Sequence, residues 1–271
     1  MPTTTGCLTN AAEQFILDWL VNGQAMTVPT SARLALWAGS PTDTGAGGAE
    51  VTGAGTNGYA RIAAAGIFAA AASRAVASNV DAVFGPSTGG PWSGVTHWAL
   101  MSDVTGGAMW AYGDITDGTV GTDDSYKIPS GSITLTFTAG SKWTDAVLNA
   151  ILDHLVGNAD NSAAVPTWLA LYDGDPLGAG AEAHTAGAAG YARVDLDGVM
   201  SAASGGSIEN GSTATFGPAS GAAWGNVDYF AVMDASTAGN VRGGAALTAA
   251  KTVNDGDSAE FAAAALVFTL D

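Results

Sequence analysis

The stretch Gly58-Tyr59-Ala60-Arg61-Ile62 returns as Gly190-Tyr191-Ala192-Arg193-Val194, an offset of 132 (190 − 58). Working outward, Phe84-Gly85-Pro86 matches Phe216-Gly217-Pro218 at that same offset, and Trp92-Ser93-Gly94-Val95-Thr96-His97-Trp98-Ala99-Leu100-Met101 aligns with Trp224-Gly225-Asn226-Val227-Asp228-Tyr229-Phe230-Ala231-Val232-Met233. Upstream, Ile16-Leu17-Asp18-Trp19-Leu20-Val21 matches Ile151-Leu152-Asp153-His154-Leu155-Val156, and Leu34-Ala35-Leu36-Trp37 matches Leu169-Ala170-Leu171-Tyr172, at an offset of 135 (151 − 16). The order is constant, and the three-residue difference falls between elements, where deletions are tolerated. Self-similarity of this kind marks duplication of a whole folding unit. Placing the boundary near Gly140 predicts an N-terminal arm over 1–10, a first copy over 11–139 and a second over 140–271. A copy of about 130 residues is large enough for its own core, unlike a solenoid repeat.

Each copy opens with a helical stripe: Phe15, Ile16, Trp19 and Leu20 in the first, Val147, Ile151, Leu152 and Leu155 in the second. Asn22-Gly23 and Gly157-Asn158 follow as stop signals. The rest consists of short β-prone runs between Gly, Ser, Thr, Asn and Asp clusters, with strands expected near 32–38, 59–65, 79–84, 95–101, 108–113 and 132–137. Ile133-Thr134-Leu135-Thr136-Phe137 alternates as a half-buried strand does. The fold class is therefore mainly β: two tandem domains of β-sandwich or jelly-roll-like type, each with a short N-terminal helix. Ala69-Ala70-Ala71-Ala72 has helical propensity, but its counterpart Ser201-Ala202-Ala203-Ser204-Gly205-Gly206 reads as loop, and the pairing decides for loop.

Twenty-five Asp and Glu against 8 Lys and Arg give a formal charge of −17. Such a surface repels phosphate backbones, so no nucleic-acid partner is expected. One cysteine, Cys7, excludes an intrachain disulfide and a four-cysteine zinc site. Neither a signal-peptide pattern nor a run of about 18 apolar residues is present, which predicts no membrane partner and synthesis and folding in the cytoplasm.

Several motifs invite a chemical reading. Gly85-Pro86-Ser87-Thr88-Gly89 fits a hydrolase nucleophile elbow, but Gly90-Pro91 prevents the helix that must follow, and the second copy has Ala219 in place of the serine. Gly53-Ala54-Gly55-Thr56-Asn57-Gly58 fits a dinucleotide fingerprint but lacks the crossover helix, so a surface loop is the stronger reading. His97, His154 and His184 occupy unmatched places in the repeat, two of them opposite Tyr229 and Trp19, so they read as bulk and not as metal ligands. Asp173-Gly174-Asp175 and Asp255-Gly256-Asp257 lack the distal Glu of a calcium loop and read as solvated turns. No catalytic, cofactor-binding or metal site is assigned. Arg61 and Arg193, at matched places among only eight basic residues, are the candidate anchors, either structural or interfacial. Trp92 and Trp224 join them, read as core filling ahead of partner contact.

The second copy carries Leu169-Ala170-Leu171-Tyr172, an Asp175-Pro176 turn, Gly190-Tyr191-Ala192-Arg193, Trp224-Gly225 with Val227 and Phe230, and Ala245-Ala246-Leu247-Thr248-Ala249-Ala250-Lys251-Thr252-Val253-Asn254-Asp255-Gly256-Asp257 before a last strand and Leu270-Asp271. Together these resemble the small tailed-phage virion structural proteins often labelled tail fibre or capsid decoration protein. The first copy resembles them in diluted form, with Gly118-Thr119-Val120-Gly121-Thr122-Asp123-Asp124 in place of the Lys-Thr-Val segment. The resemblance supplies no catalytic residue. It implies a non-enzymatic virion protein, with a capsid decoration (cement) protein on the outside of the icosahedral head as the first expectation. That role implies the major capsid protein as partner and self-association, with a homotrimer suggested by the three-folds of the shell. The alternative is a tail or tail-fibre component that binds host surface carbohydrate.

Overall fold

The computed structural model describes residues 4–26, 32–51, 56–138 and 142–270. It is mainly β, with 39% strand and 9% helix. The chain packs as two compact units, the first built from Met1–Glu13, Thr27–Ala139 and Leu148–Ser162, the second from Gln14–Met26, Gly140–Val147 and Ala163–Asp271.

In the first unit, β1 (Thr4–Leu8), β2 (Arg33–Ala38), β3 (Ala49–Glu50), β4 (Ile62–Ala63), β5 (Ala75–Ala77), β7 (Trp92–Met101), β8 (Met109–Val120) and β10 (Ile133–Thr136) form one sheet in the order β3-β2-β7-β8-β1-β10-β5, with β4 also on β2; β6 (Ala82–Phe84) pairs separately with β9 (Tyr126–Ile128). Leu34, Ala35 and Leu36 are buried in succession, as befits a central strand covered on both faces. Ile133 and Leu135 are buried while Thr136 is exposed, the alternation the sequence displays. The strand near 108–113 extends to Val120: the apolar signal stops where the core stops, but the hydrogen-bond ladder with β7 continues to Trp92↔Val120. Conversely, the expected strand over 59–65 shrinks to β4, because its first residues serve a turn and a buried tyrosine.

Residues 4–8 are not a free arm. β1 runs parallel to β10, Thr4↔Ile133 to Gly6↔Leu135, and antiparallel to β8 through Cys7↔Tyr112 and Leu8↔Ala111. Gly6 permits this insertion, since a Cβ there would lie 2.6 Å from the Trp98 ring.

The second unit repeats the plan with β11 (Trp168–Asp173), β12 (Ala181–Glu182), β13 (Val194–Asp195), β14 (Ser207–Glu209), β15 (Ala214–Phe216), β16 (Gly225–Met233), β17 (Val241–Val253), β18 (Ala259–Phe261) and β19 (Val267–Thr269). Its main sheet reads β12-β11-β16-β17 with β13 on β11, beside the pairs β14-β19 and β15-β18. Phe230 packs edge-on against Phe261 and Phe268, with centroids 6.0 and 5.8 Å away. Trp143 makes a bridge to Gly243, the place that Leu8↔Ala111 holds in the first unit.

The helices α1 (Asn10–Val21) and α2 (Asp145–Leu155) divide differently from the sequence copies. From Gln14 on, α1 belongs to the second unit, and from Leu148 on, α2 belongs to the first. Asp153 Oδ1 accepts the N–H of Ala71 at 2.8 Å, and Asn149 Oδ1 accepts that of Arg74 at 2.9 Å, all within the first unit. In the second, Asp18 Oδ1 accepts the N–H of Ala203 at 3.1 Å, and the Val21 carbonyl accepts from Thr167 Oγ1 at 2.7 Å. Leu148, Ile151, Leu152 and Leu155 are buried, each a contribution of about 2 kcal/mol. The alanine run 69–72 is loop, held in part by Asp153.

Asp153→Ala and Asp18→Ala should each lower stability by about 1 kcal/mol, the value of a hydrogen bond to a partly buried backbone donor. The sites lie in different units, so chemical denaturation of the double variant should show near-additive losses.

Candidate functional site

The matched Tyr-Ala-Arg motifs sit at corresponding places in the two units and build the same constellation twice. In the first unit, Arg61 Nε and Nη2 donate to the two carboxylate oxygens of Glu50 at 2.9 and 2.8 Å. Its Nη1 donates to the carbonyls of Asp103 and Gly106, both at 2.8 Å. Glu50 ends the edge strand β3, while Asp103 and Gly106 lie in the turn joining β7 to β8. One guanidinium thus ties a sheet edge to a hairpin tip, using the fork geometry that only arginine offers. Arg193 repeats this with Glu182 at 2.8 and 2.8 Å and with the carbonyls of Ala235 and Ala238 at 2.6 and 2.7 Å. The arginines are 9% and 7% exposed, so both ion pairs work in a largely dry setting.

Two residues before each arginine, a tyrosine points inward. Tyr59 Oη accepts the N–H of Leu36 at 2.8 Å, and Tyr191 Oη accepts that of Leu171 at 3.0 Å. Burial holds both hydroxyls far above the usual phenol value of 10.0. Gly58 and Gly190 turn the chain into this position at φ 72° and 71°, a conformation disfavoured for any residue with a Cβ. Trp92 meets Tyr59 edge-on at 5.3 Å and donates Nε1–H to the Asn57 carbonyl at 2.9 Å. Trp224 meets Tyr191 at 5.2 Å and donates to Ala189 at 2.9 Å. All four candidate anchors therefore lie inside their units, with polar atoms engaged by their own unit.

The other motifs resolve into structural contacts. Ser87 is buried and its hydroxyl donates to the Gly121 carbonyl at 2.6 Å. Gly53 to Gly55 lie outside the described residues. His97 Nε2 lies 2.8 Å from Asp114, and His154 is buried. Asp173 accepts from Asn226, Asp175 from the Leu177 N–H, Asp255 from the Gly221 N–H and Asp257 from Asn254, as turn residues do. Among the described residues no group of three or more His, Cys, Asp or Glu converges, and no helix is long and apolar enough to cross a membrane.

Sequence reasoning overlooked the acidic partners, although Gly48-Ala49-Glu50 and Gly180-Ala181-Glu182 share the 132 offset of the arginines. It also overlooked Arg242, whose guanidinium lies 4.1 Å from the Trp19 ring centroid and which burial brings down to about 10 against the pull of Asp234. The second unit further holds a groove of about 450 Å³ bounded by Leu171, Phe230, Phe261 and Leu266, with Lys251 and Glu260 beside them. Phe230 stands there where the first copy has the larger Trp98.

Residues 7–136 and 142–269 each match one family, described as Podophage GP4 fiber I protein gp80. No curated protein matches the chain.

Arg61→Met should cost on the order of 3 kcal/mol because it leaves Glu50 and two carbonyls without their donor. Arg61→Lys should recover only a minor part, having no fork; thermal unfolding of both, and of the Arg193 counterparts, measures this. Alkali supplies a second check. The raised hydroxyls of Tyr59 and Tyr191 keep protons that the unfolded chain releases, so stability falls as pH climbs past about 10. Arg242 opposes the trend, since its lowered value favours folding above about 10, but burial also raises the hydroxyls of Tyr112, Tyr126 and Tyr172, which act with Tyr59 and Tyr191. Circular dichroism from pH 8 to 12 should therefore show unfolding above pH 10.

Proposed function

Since the chain belongs to the podophage GP4 fiber I protein gp80 family over both of its copies, a family of phage fibre structural proteins, we propose that it is a non-enzymatic subunit of an external fibre of the phage particle. The match across 7–136 and 142–269 carries this reading. The chemistry suits it. In both units the Arg–Glu pairs, the buried tyrosines and the tryptophans are committed to holding loops against sheets, which makes rigid modules out of short strands. A charge of −17 favours solubility before assembly and complements a basic docking patch on a neighbouring virion protein.

A second reading, capsid decoration, draws on the duplication: two diverged copies of one module on one chain suit two quasi-equivalent positions of a shell, with avidity gained through linkage. Its partner would be the major capsid protein, and its location the capsid exterior. In either setting the partner surface lies outside the four anchors, and self-association as a trimer belongs to the same proposal.

Quantitative mass spectrometry of purified particles, with the major capsid protein as internal standard, tests it. A fibre subunit should number a few to a few tens per particle and should be labelled by antibody at discrete appendages. Hundreds of copies spread over the head would replace the fibre reading with decoration, and absence from particles would end both.

A further inference from the structure

Each unit is completed by a helix that the other sequence copy encodes. The first closes over Leu148–Ser162 and the second over Gln14–Met26. The attachments correspond closely, the aspartates at matched positions (153 − 18 = 135) and the asparagines one position out of register (158 − 22 = 136). Asp153 receives the Ala71 N–H, and Asp18 receives the Ala203 N–H. Asn158 Nδ2 donates to the Ala69 carbonyl at 2.7 Å, and Asn22 Nδ2 donates to the Ser201 carbonyl at 2.8 Å. Asp18 and Asp153 are repeat partners, as are Ala71 and Ala203 and Ala69 and Ser201. Below these polar ties, Ile151, Leu152 and Leu155 are buried in the first unit, and Leu17, Leu20 and Val21 in the second.

One pair of positions has diverged in concert. The second unit holds Trp19 of α1 with Arg242 of β17. The matching positions in the first unit are His154 of α2 and Trp110 of β8, both buried. In each unit one of the two positions is a tryptophan and the other a basic side chain, and they have traded elements.

We infer that the two copies are a reciprocally exchanged pair: the β scaffold of each is an interaction surface whose partner is the helix of a second copy of the same module. The peptide link between the copies fixes their stoichiometry at one to one but is not what completes either fold. Exchange of an identical element is a low-cost route to such a pair. This inference stands apart from the position of the protein on the particle, and its test needs no particles.

The experiment uses the full chain with Cys7→Ser, Ala71→Cys and Asp153→Cys, and a protease site inserted between residues 139 and 142. After cleavage of the folded protein, a short bis-maleimide should join the two fragments into one band on a denaturing gel. The companion variant Cys7→Ser, Asp18→Cys, Ala203→Cys should behave alike. Uncross-linked cleaved protein should elute natively as one species of the uncut mass, and should part only in denaturant. If each helix packs on its own copy, 71 and 153 lie in separate modules and no joined band forms. That outcome, or native separation into two folded fragments, overturns the inference.

Discussion

The rest of each unit depends on one buried guanidinium. Strands β3 and β12 are two residues long, too short to hold a sheet edge by ladder bonds alone. Arg61 and Arg193 replace the missing ladder with two charge-assisted bonds to Glu50 or Glu182 and two bonds to a hairpin turn. With that turn and that edge fixed, Tyr59 or Tyr191 is held beneath the sheet, where its hydroxyl meets a strand N–H and its ring meets a tryptophan. A constellation reproduced twice, with the tyrosine to tryptophan distances within 0.1 Å of each other (5.3 against 5.2), is a constraint on the fold itself.

This also accounts for how the chain supports a structural role with so few charges. Its basic residues are scarce, and three of the eight, Arg61, Arg193 and Arg242, are spent inside. Arg61 and Arg193 take Glu50 and Glu182 with them, so the excess of carboxylates stays on the outer surface, an arrangement that favours neighbours bearing Lys and Arg and disfavours phosphate backbones.

Much of this was legible in the sequence. The matched Tyr59-Ala60-Arg61 and Tyr191-Ala192-Arg193 located the constellation, and alternation at Ile133 to Thr136 gave a strand near its observed bounds. Glu50 and Glu182 were missed because a lone glutamate in a glycine-rich stretch looks solvated until its arginine is seen eleven residues on. β1 was missed because Thr4 to Leu8 shows no period-two pattern; it is a strand because β8 and β10 both offer it an edge. The allotment of the helices was hidden for a deeper reason. The apolar stripes on α1 and α2 are near copies, so amphipathicity carries no information about which sheet receives each helix.

The insertion of β1 bears on mechanics. Thr4 to Gly6 pair in parallel with β10, and Cys7 and Leu8 pair antiparallel with β8, so a pull along the strand axis loads both sets of bonds in shear. A load directed across the strand would unzip them one after another. The force at which a strand held by two neighbours is pulled free is set by the unfolding barrier of its unit more than by equilibrium stability.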